Sequence, residues 1–188
     1  MKKIPNIFKK DPNDLGRVID VINPSCAWVF NEEGVATRKY DGTACLVKDG
    51  KLFKRRQVKK GKQIPVGFIE ADFDENTGKR FGWIRLDAND YWHREAILTE
   101  ETLRDLPDGT YELIGPKINS NPENKYVHML INHKIETDTY PNVPRSFDKL
   151  GVWLSHKDIE GLVFHHTDGR MAKITKRNFG MERWPKTY

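Results

Sequence analysis

The chain has 188 residues, of which 37% are hydrophobic and 31% charged, with a formal net charge of +5 and a sequence pI near 9.1. That length suits one domain with a core of its own, and the mildly basic balance favours anionic partners without demanding them. Two cysteines, Cys26 and Cys45, exclude a disulfide framework, and no stretch approaches the roughly 20 apolar residues of a membrane span. A soluble cytoplasmic protein is expected, since the charged start MKKIPNIFKKDPND lacks the apolar run of a signal peptide.

Residues 1–34 are polar, carry Pro5, Pro12 and Pro24, and read as an N-terminal arm without clear periodicity. From residue 35 the character changes. ACLV (44–47), KDGK (48–51) and LFKRRQV (52–58) predict a hairpin closed by Asp49-Gly50. KKGKQ follows as a basic loop, FDENTGKR (73–80) as a polar turn region, and GWIRLD as a strand. Thr99 is placed to cap a short helix, ETLRDL, that stops before Pro107. TYELIG (110–115) is a strand, KINSNPENK (117–125) a loop and VHMLI (127–131) another strand. Ser146 is placed to cap a helix over FDKLGVWLSH, with Phe147, Leu150 and Leu154 on one face. GLVFHH (161–166) and MAKIT (171–175), joined by Asp168-Gly169, predict a second hairpin. Many short strands with turn punctuation and a few short helices indicate an α+β fold with mostly antiparallel sheets.

The stretch KLFKRRQVKKGK (51–62) holds seven basic residues and no acidic one. It reads either as a solvated strand edge guarded by lysines or as a phosphate-binding surface. A second basic group comprises Arg170, Lys173, Lys176, Arg177, Arg183 and Lys186. Glu112 and Glu160 lie in or at apolar strands, where a carboxylate either points outward or is paired or metal-bound. His165 and His166 are adjacent and face opposite ways on a strand, and zinc spacings, P-loops and Gly-x-Ser-x-Gly elbows are absent.

Lys39-Tyr40-Asp41-Gly42 is one of four Asp-Gly sites and is uninformative by itself. The ordered set is more specific: Lys39-x-Asp41-Gly42, Arg55, Glu112, Glu160-Gly161 and Lys173. It resembles the motifs of the covalent nucleotidyltransferases, which include polynucleotide ligases and RNA capping enzymes. Further stretches sharpen the likeness. They are Thr37-x-Lys39-x-Asp41-Gly42-Thr43-x-Cys45, Gly82-Trp83-Ile84, Tyr91-Trp92-His93, Glu112-Leu113-Ile114-Gly115-x-x-Ile118-Asn119-x-Asn121-Pro122, His128-x-Leu130-Ile131-x-His133 and Glu160-Gly161-Leu162-Val163-Phe164-His165. Over roughly residues 35–180 they resemble the ATP-dependent 5′-to-3′ RNA ligases of vertebrates, viruses and microbes, enzymes of RNA repair.

The resemblance implies a ligase adenylation domain filling 1–188, with 35–180 as its motif-bearing core and no C-terminal OB domain. It implies ATP and Mg²⁺ (or Mn²⁺), a lysyl-AMP on Lys39, and an RNA partner with 5′-phosphate and 3′-hydroxyl ends. A monomer is expected. By position, Glu160 and Glu112 would hold the metal or the ribose hydroxyls, Arg55 the ribose or 5′-phosphate side, and Lys173 the α-phosphate. Thr37 and Val163 would line the adenine pocket, and Asp41 would sit at the nucleotide. Nearby cations such as Lys173 would favour the neutral, nucleophilic amine. Many ligases show Lys-x-Lys where this chain has Lys173-Ile174-Thr175-Lys176, which puts the phosphate role of Lys176 in doubt. DNA ligation, GTP-dependent capping and a non-catalytic RNA-binding module are the competing readings.

Overall fold

The computed structural model describes residues 2–98, 100–134 and 138–182. The expected cap Thr99, and Arg183 and Lys186 of the C-terminal basic group, lie outside the described residues. The fold is α+β with mostly antiparallel strands and few short helices. It divides into two compact units, one from Met1–Lys3 with Asp41–Ile135, the other from Ile4–Tyr40 with Glu136–Tyr188.

The second unit is built on a three-stranded antiparallel sheet. β1 (Phe8–Lys10) and β2 (Val18–Ile22) form a separate small ribbon, followed by the short helix α1 (Ala27–Phe30). β3 (Val35–Lys39) pairs with a later strand of the same unit, Gly161–His165, which in turn pairs with Met171–Thr175. Strand alternation then assigns the two faces. Ala36, Leu162, Phe164, Ala172 and Ile174 point to one side and are almost fully buried. They pack with Leu150 and Leu154 of a helix over Phe147–Ser155, and with Phe8, Trp28 and Ile159. Ser146 occupies the capping position in extended conformation, but its side chain makes no capping hydrogen bond.

Both sheet edges are covered. Lys173 N–H donates to the Pro5 carbonyl at 2.9 Å, and Ile7 N–H donates to the Lys173 carbonyl at 3.0 Å. On the other side, Arg38 N–H donates to Asp138 O and Tyr140 N–H to Ala36 O. Residues 5–7 of the apparent arm therefore complete the sheet backbone. The neighbouring strand β2 was not legible because Val21 and Ile22 are 43% and 44% exposed, which erases the alternation that marks a half-buried strand.

The first unit carries a six-stranded antiparallel sheet. In chain order its strands are β4 (Thr43–Lys48), β5 (Lys51–Val58), β6 (Ile69–Asp74), β7 (Lys79–Arg85), β8 (Gly109–Ile114) and β9 (Met129–Asn132), arranged β6-β7-β5-β4-β8-β9. Asp49 and Gly50 close β4–β5 with φ of 52° and 63°, the pair of left-handed residues that a two-residue hairpin requires. The polar turn expected over 73–80 narrows to residues 75–78, because β6 and β7 run into it from both sides. β9 begins at Met129, later than the sequence suggests, and Val127 is 60% exposed. The helices α2 (Tyr91–Glu95) and α3 (Glu100–Asp105) precede β8. Ala96, Ile97, Leu103 and Leu106, in and beside them, cover a core of Cys45, Val47, Leu52, Tyr111 and Leu113. In the second unit, α4 (Phe147–Ser155) is followed by β10 (Gly161–His165) and β11 (Met171–Thr175).

Candidate active site

The face of the β3–β10–β11 sheet opposite the core carries Thr37, Lys39, Val163 and Lys173 of the residues singled out from the sequence. Lys39 pairs with Gly161, which pairs with Thr175; Thr37 pairs with Val163, which pairs with Lys173. Directly paired residues share a face, so Thr37, Lys39, Val163 and Lys173 are presented together. Lys176 follows β11 in a 3₁₀ turn, and its N–H donates to the Glu160 carbonyl at 2.9 Å.

Lys39 Nζ donates to Glu160 Oε2 at 2.5 Å and to the Tyr40 carbonyl at 3.4 Å. The two side chains are 22% and 25% exposed, so the charged pair is sheltered yet reachable. Glu160 stands just ahead of β10, and the close approach of strands at Gly161 sets its position. A Cβ on Gly161 would fall 2.2 Å from the Ile174 carbonyl and 2.7 Å from Thr175 Cα. Thr37 Oγ1 lies 2.9 Å from His165 Nε2 and also donates to the Val163 carbonyl at 3.3 Å. His165 thus orients the hydroxyl at the centre of this face, a role that sequence reading did not assign. Tyr40 O–H donates to Asp138 Oδ2 at 2.6 Å, fixing the residue after the lysine.

The first unit holds the remaining candidates. Glu112 on β8 accepts from, or shares a proton with, His133 Nε2 at 3.0 Å, and His133 Nδ1 lies 3.0 Å from Thr110 Oγ1. The carboxylate in the apolar strand is therefore paired. His133 belongs to the quoted family stretch, but only the strand register could reveal its partner. Arg55 on β5 lies over the Trp83 ring at 4.6 Å and Phe81 at 5.7 Å. Burial lowers its pKa, opposed by the charge of Asp72. Its neighbour Lys54 is held by Asp87 and Asp90 at 2.7 Å each, so that member of the basic run serves the fold.

Asp41 is only 9% exposed, and its carboxylate accepts from Asn119 Nδ2 at 2.9 Å. The same amide donates to the Gly42 carbonyl at 2.8 Å, and Asp41 N–H donates to the buried Glu123 at 2.9 Å. A Cβ on Gly42 would meet the Leu113 carbonyl at 2.3 Å, so the chain passes close to β8. Asn119, Ser120 and Asn121 adopt left-handed φ of 49°, 67° and 57°. That conformation is expensive for residues other than glycine and least so for asparagine. Asn119, which lies in the quoted family stretch, and Glu123, which was not singled out, are thus locking residues whose role the sequence hides, because they act across 78 and 82 residues of chain.

No group of three or more His, Cys, Asp or Glu side chains able to hold a metal ion occurs among the described residues. Single carboxylates are what remain. They fit a hard ion bound chiefly through substrate phosphates and water, as Mg²⁺ commonly is, and do not fit a resident all-protein cage.

The fold and this face define an α+β protein with a sheltered lysine–carboxylate pair mounted on an antiparallel sheet. The RNA ligase 1 family matches residues 93–188, slightly more than half of the chain, and the chain belongs to that family. It is similar to RNA ligase 1 of Danio rerio, 32% identical over 91 residues that take in 44% of this chain and 27% of that protein. It is also similar to RNA ligase 1 of Pongo abelii, 27% identical over 144 residues, 60% of this chain and 43% of the relative. The matches thus span less than half the length of these curated relatives. No helix of the described residues is long and apolar enough to cross a membrane.

Proposed function

We propose that the chain is an ATP-dependent RNA ligase that joins a 5′-phosphate to a 3′-hydroxyl through a lysyl-AMP on Lys39. The observation that carries this reading is the 2.5 Å contact between Lys39 Nζ and Glu160 Oε2 on the face shared with Thr37, Val163 and Lys173. While Glu160 holds it, the lysine is an ammonium without a lone pair. Attack on the α-phosphorus requires the proton to leave, and Glu160 Oε2, at 2.5 Å, can pass it on to solvent and so remain a carboxylate. The N–P bond forms as the bond to the pyrophosphate oxygen breaks. Lys173, on the same sheet face, is suited to offset the charge gathering on the phosphoryl oxygens.

In the second step the N–P bond breaks and the adenylyl group passes to the RNA 5′-phosphate, returning the electron pair to Lys39. In the third, the 3′-hydroxyl oxygen attacks that phosphate, its proton departs and AMP leaves. Thr37, oriented by His165, and apolar Val163 offer a hydroxyl and a flat surface for a purine. Lys176, whose backbone is tied to Glu160 just beyond β11, is suited to add a further cation toward the nucleotide phosphates. A divalent ion, held by Glu160 and the nucleotide phosphates, would supply positive charge there. Glu112, steadied by His133, is suited to ribose hydroxyls or such an ion, Arg55 to ribose or phosphate. Asp41 serves this reading through its lock with Asn119 and Glu123, which fixes the backbone just after Lys39-Tyr40.

The test is covalent labelling with α-labelled ATP or GTP and a divalent ion, followed by ligation of RNA ends. ATP label that disappears in a folded Lys39→Ala variant is expected. Label surviving in that variant would end the proposal, and label from GTP instead would point to capping chemistry.

A further inference from the structure

We propose that a basic hollow on the first unit is a docking site for the RNA sugar-phosphate backbone, a deepening that rests on the ligase reading above. The hollow has a volume of about 1090 Å³ and is lined by Lys51, Arg85, Arg94 and Arg104, with Asp49 its one acidic member. All four cations are exposed, and the floor between them is apolar, including Leu103. Among the described residues, Lys51, Arg85 and Arg94 form no ion pair with a carboxylate, unlike Lys54 on the same strand as Lys51. Arg94 is instead anchored through backbone carbonyls, donating to Ala88 O at 2.9 Å and to Asp87 O. That arrangement fixes the guanidinium without a direct ion pair, although its charge is felt by the nearby Asp87 carboxylate.

A second hollow, in the other unit, provides the contrast. It measures about 890 Å³ and mixes Asp20, Glu32 and Asp148 with Arg145 and Lys149. Arg145 there is likewise held by backbone carbonyls, those of Val29, Glu33 and Gly34, so the contrast lies in the three carboxylates. A polyanion is repelled by three carboxylates and attracted by four cations around one, so charge complementarity selects the first hollow. Arginine forks and a mobile lysine tip suit phosphate oxygens. Contacts of this kind fix the strand without reading its sequence.

The experiment uses the full chain and a fluorescent single-stranded RNA with both ends blocked, without ATP, with anisotropy followed over a salt series. Lys51→Glu combined with Arg104→Glu is expected to weaken binding at low salt at least about tenfold. It should also flatten the slope of log affinity against log salt by about 1.4, since single strands lose roughly 0.7 per phosphate contact. Lys149→Glu, in the other hollow, is the control and should change neither. Arg85→Gln gives a milder neutralisation should the double reversal fail to melt like the parent. ATP labelling of Lys39 should be retained throughout. Unchanged affinity and slope in the folded double variant, or no RNA binding by the parent chain, would overturn the docking site. A parent that binds RNA through this hollow but takes no label from ATP would overturn the ligase reading and leave the docking site standing.

Discussion

Replacing Gly161 by alanine tests whether the lysine–carboxylate site depends on the approach of β10 to β11. Gly161 lies between Lys39 on β3 and Thr175 on β11. The added methyl would sit 2.2 Å from the Ile174 carbonyl oxygen and 2.7 Å from Thr175 Cα, and both are backbone atoms that cannot rotate away. The oxygen must retreat by at least about 0.8 Å to reach an allowed contact of 3.0 Å. That retreat drags β11, which carries Lys173 two residues before Thr175, and disturbs Glu160 one residue before the substitution. Overpacking of this order costs about 1–3 kcal/mol. For a chain of this length each kcal/mol lowers Tm by about 2–4 °C. Displacements near 1 Å at a reacting pair cost on the order of 10²-fold in rate. Scanning calorimetry and the rate of covalent ATP labelling measure the two effects separately. A Gly161→Ala protein with parental Tm and labelling rate would refute the reasoning, whereas a lower Tm with an unchanged rate would refute only the positional part.

Asn119→Ala removes the amide that donates to Asp41 and Gly42, and losing these two hydrogen bonds, one of them to a buried carboxylate, should cost about 1–3 kcal/mol in urea unfolding. Asn119→Gly loses the same bonds but relieves the φ of 49°, so it should be about 1–2 kcal/mol less damaging; two equal, near-parental midpoints would dismiss the lock. Burial, with the Glu112 charge second, pushes the Cys45 thiol far above its ordinary range, and burial also raises that of Cys26. Iodoacetamide should therefore modify neither in the native chain and both in denaturant, a contrast read by intact mass; rapid native alkylation would contradict it. His93 is depressed below the ordinary histidine value of 6.5, chiefly by burial, with Asp90 opposing and Lys54 and His128 assisting. The unfolded chain then binds the extra proton first, so the stability His93 contributes is complete above its unfolded value and is lost as pH falls through the lowered folded one. Urea midpoints should fall from about pH 7.5 to about pH 5.5, and His93→Gln should flatten that fall; an unaltered profile would remove His93 as the cause.

Alternation explains which parts of the site are legible in the sequence. In Glu160-Gly161-Leu162-Val163-Phe164, the even positions Leu162 and Phe164 enter the core, which forces Val163 onto the face that also bears Thr37, Lys39 and Lys173. The Asp49-Gly50 hairpin was legible for a similarly local reason, since both residues need left-handed φ. What stayed hidden depends on contacts that local pattern does not encode. Asn119 and Glu123 reach Asp41 across 78 and 82 residues, and His165 meets Thr37 across 128. Residues 5–7 meet β11 at the far end of the chain through backbone hydrogen bonds and the fully buried Ile7, and a single apolar residue gives no period to read. Nor does composition mark where the chain passes between its units, after Lys3, Tyr40 and Ile135. The middle crossing falls inside Lys39-Tyr40-Asp41-Gly42, so the tetrapeptide has two physical jobs. Its lysine belongs to a charged pair on one sheet, and its Asp-Gly is locked by Asn119 and Glu123 in the other unit. A turn needing only a left-handed glycine would not require that lock, because Gly42 is chosen for the closeness of Leu113 and not for a positive φ.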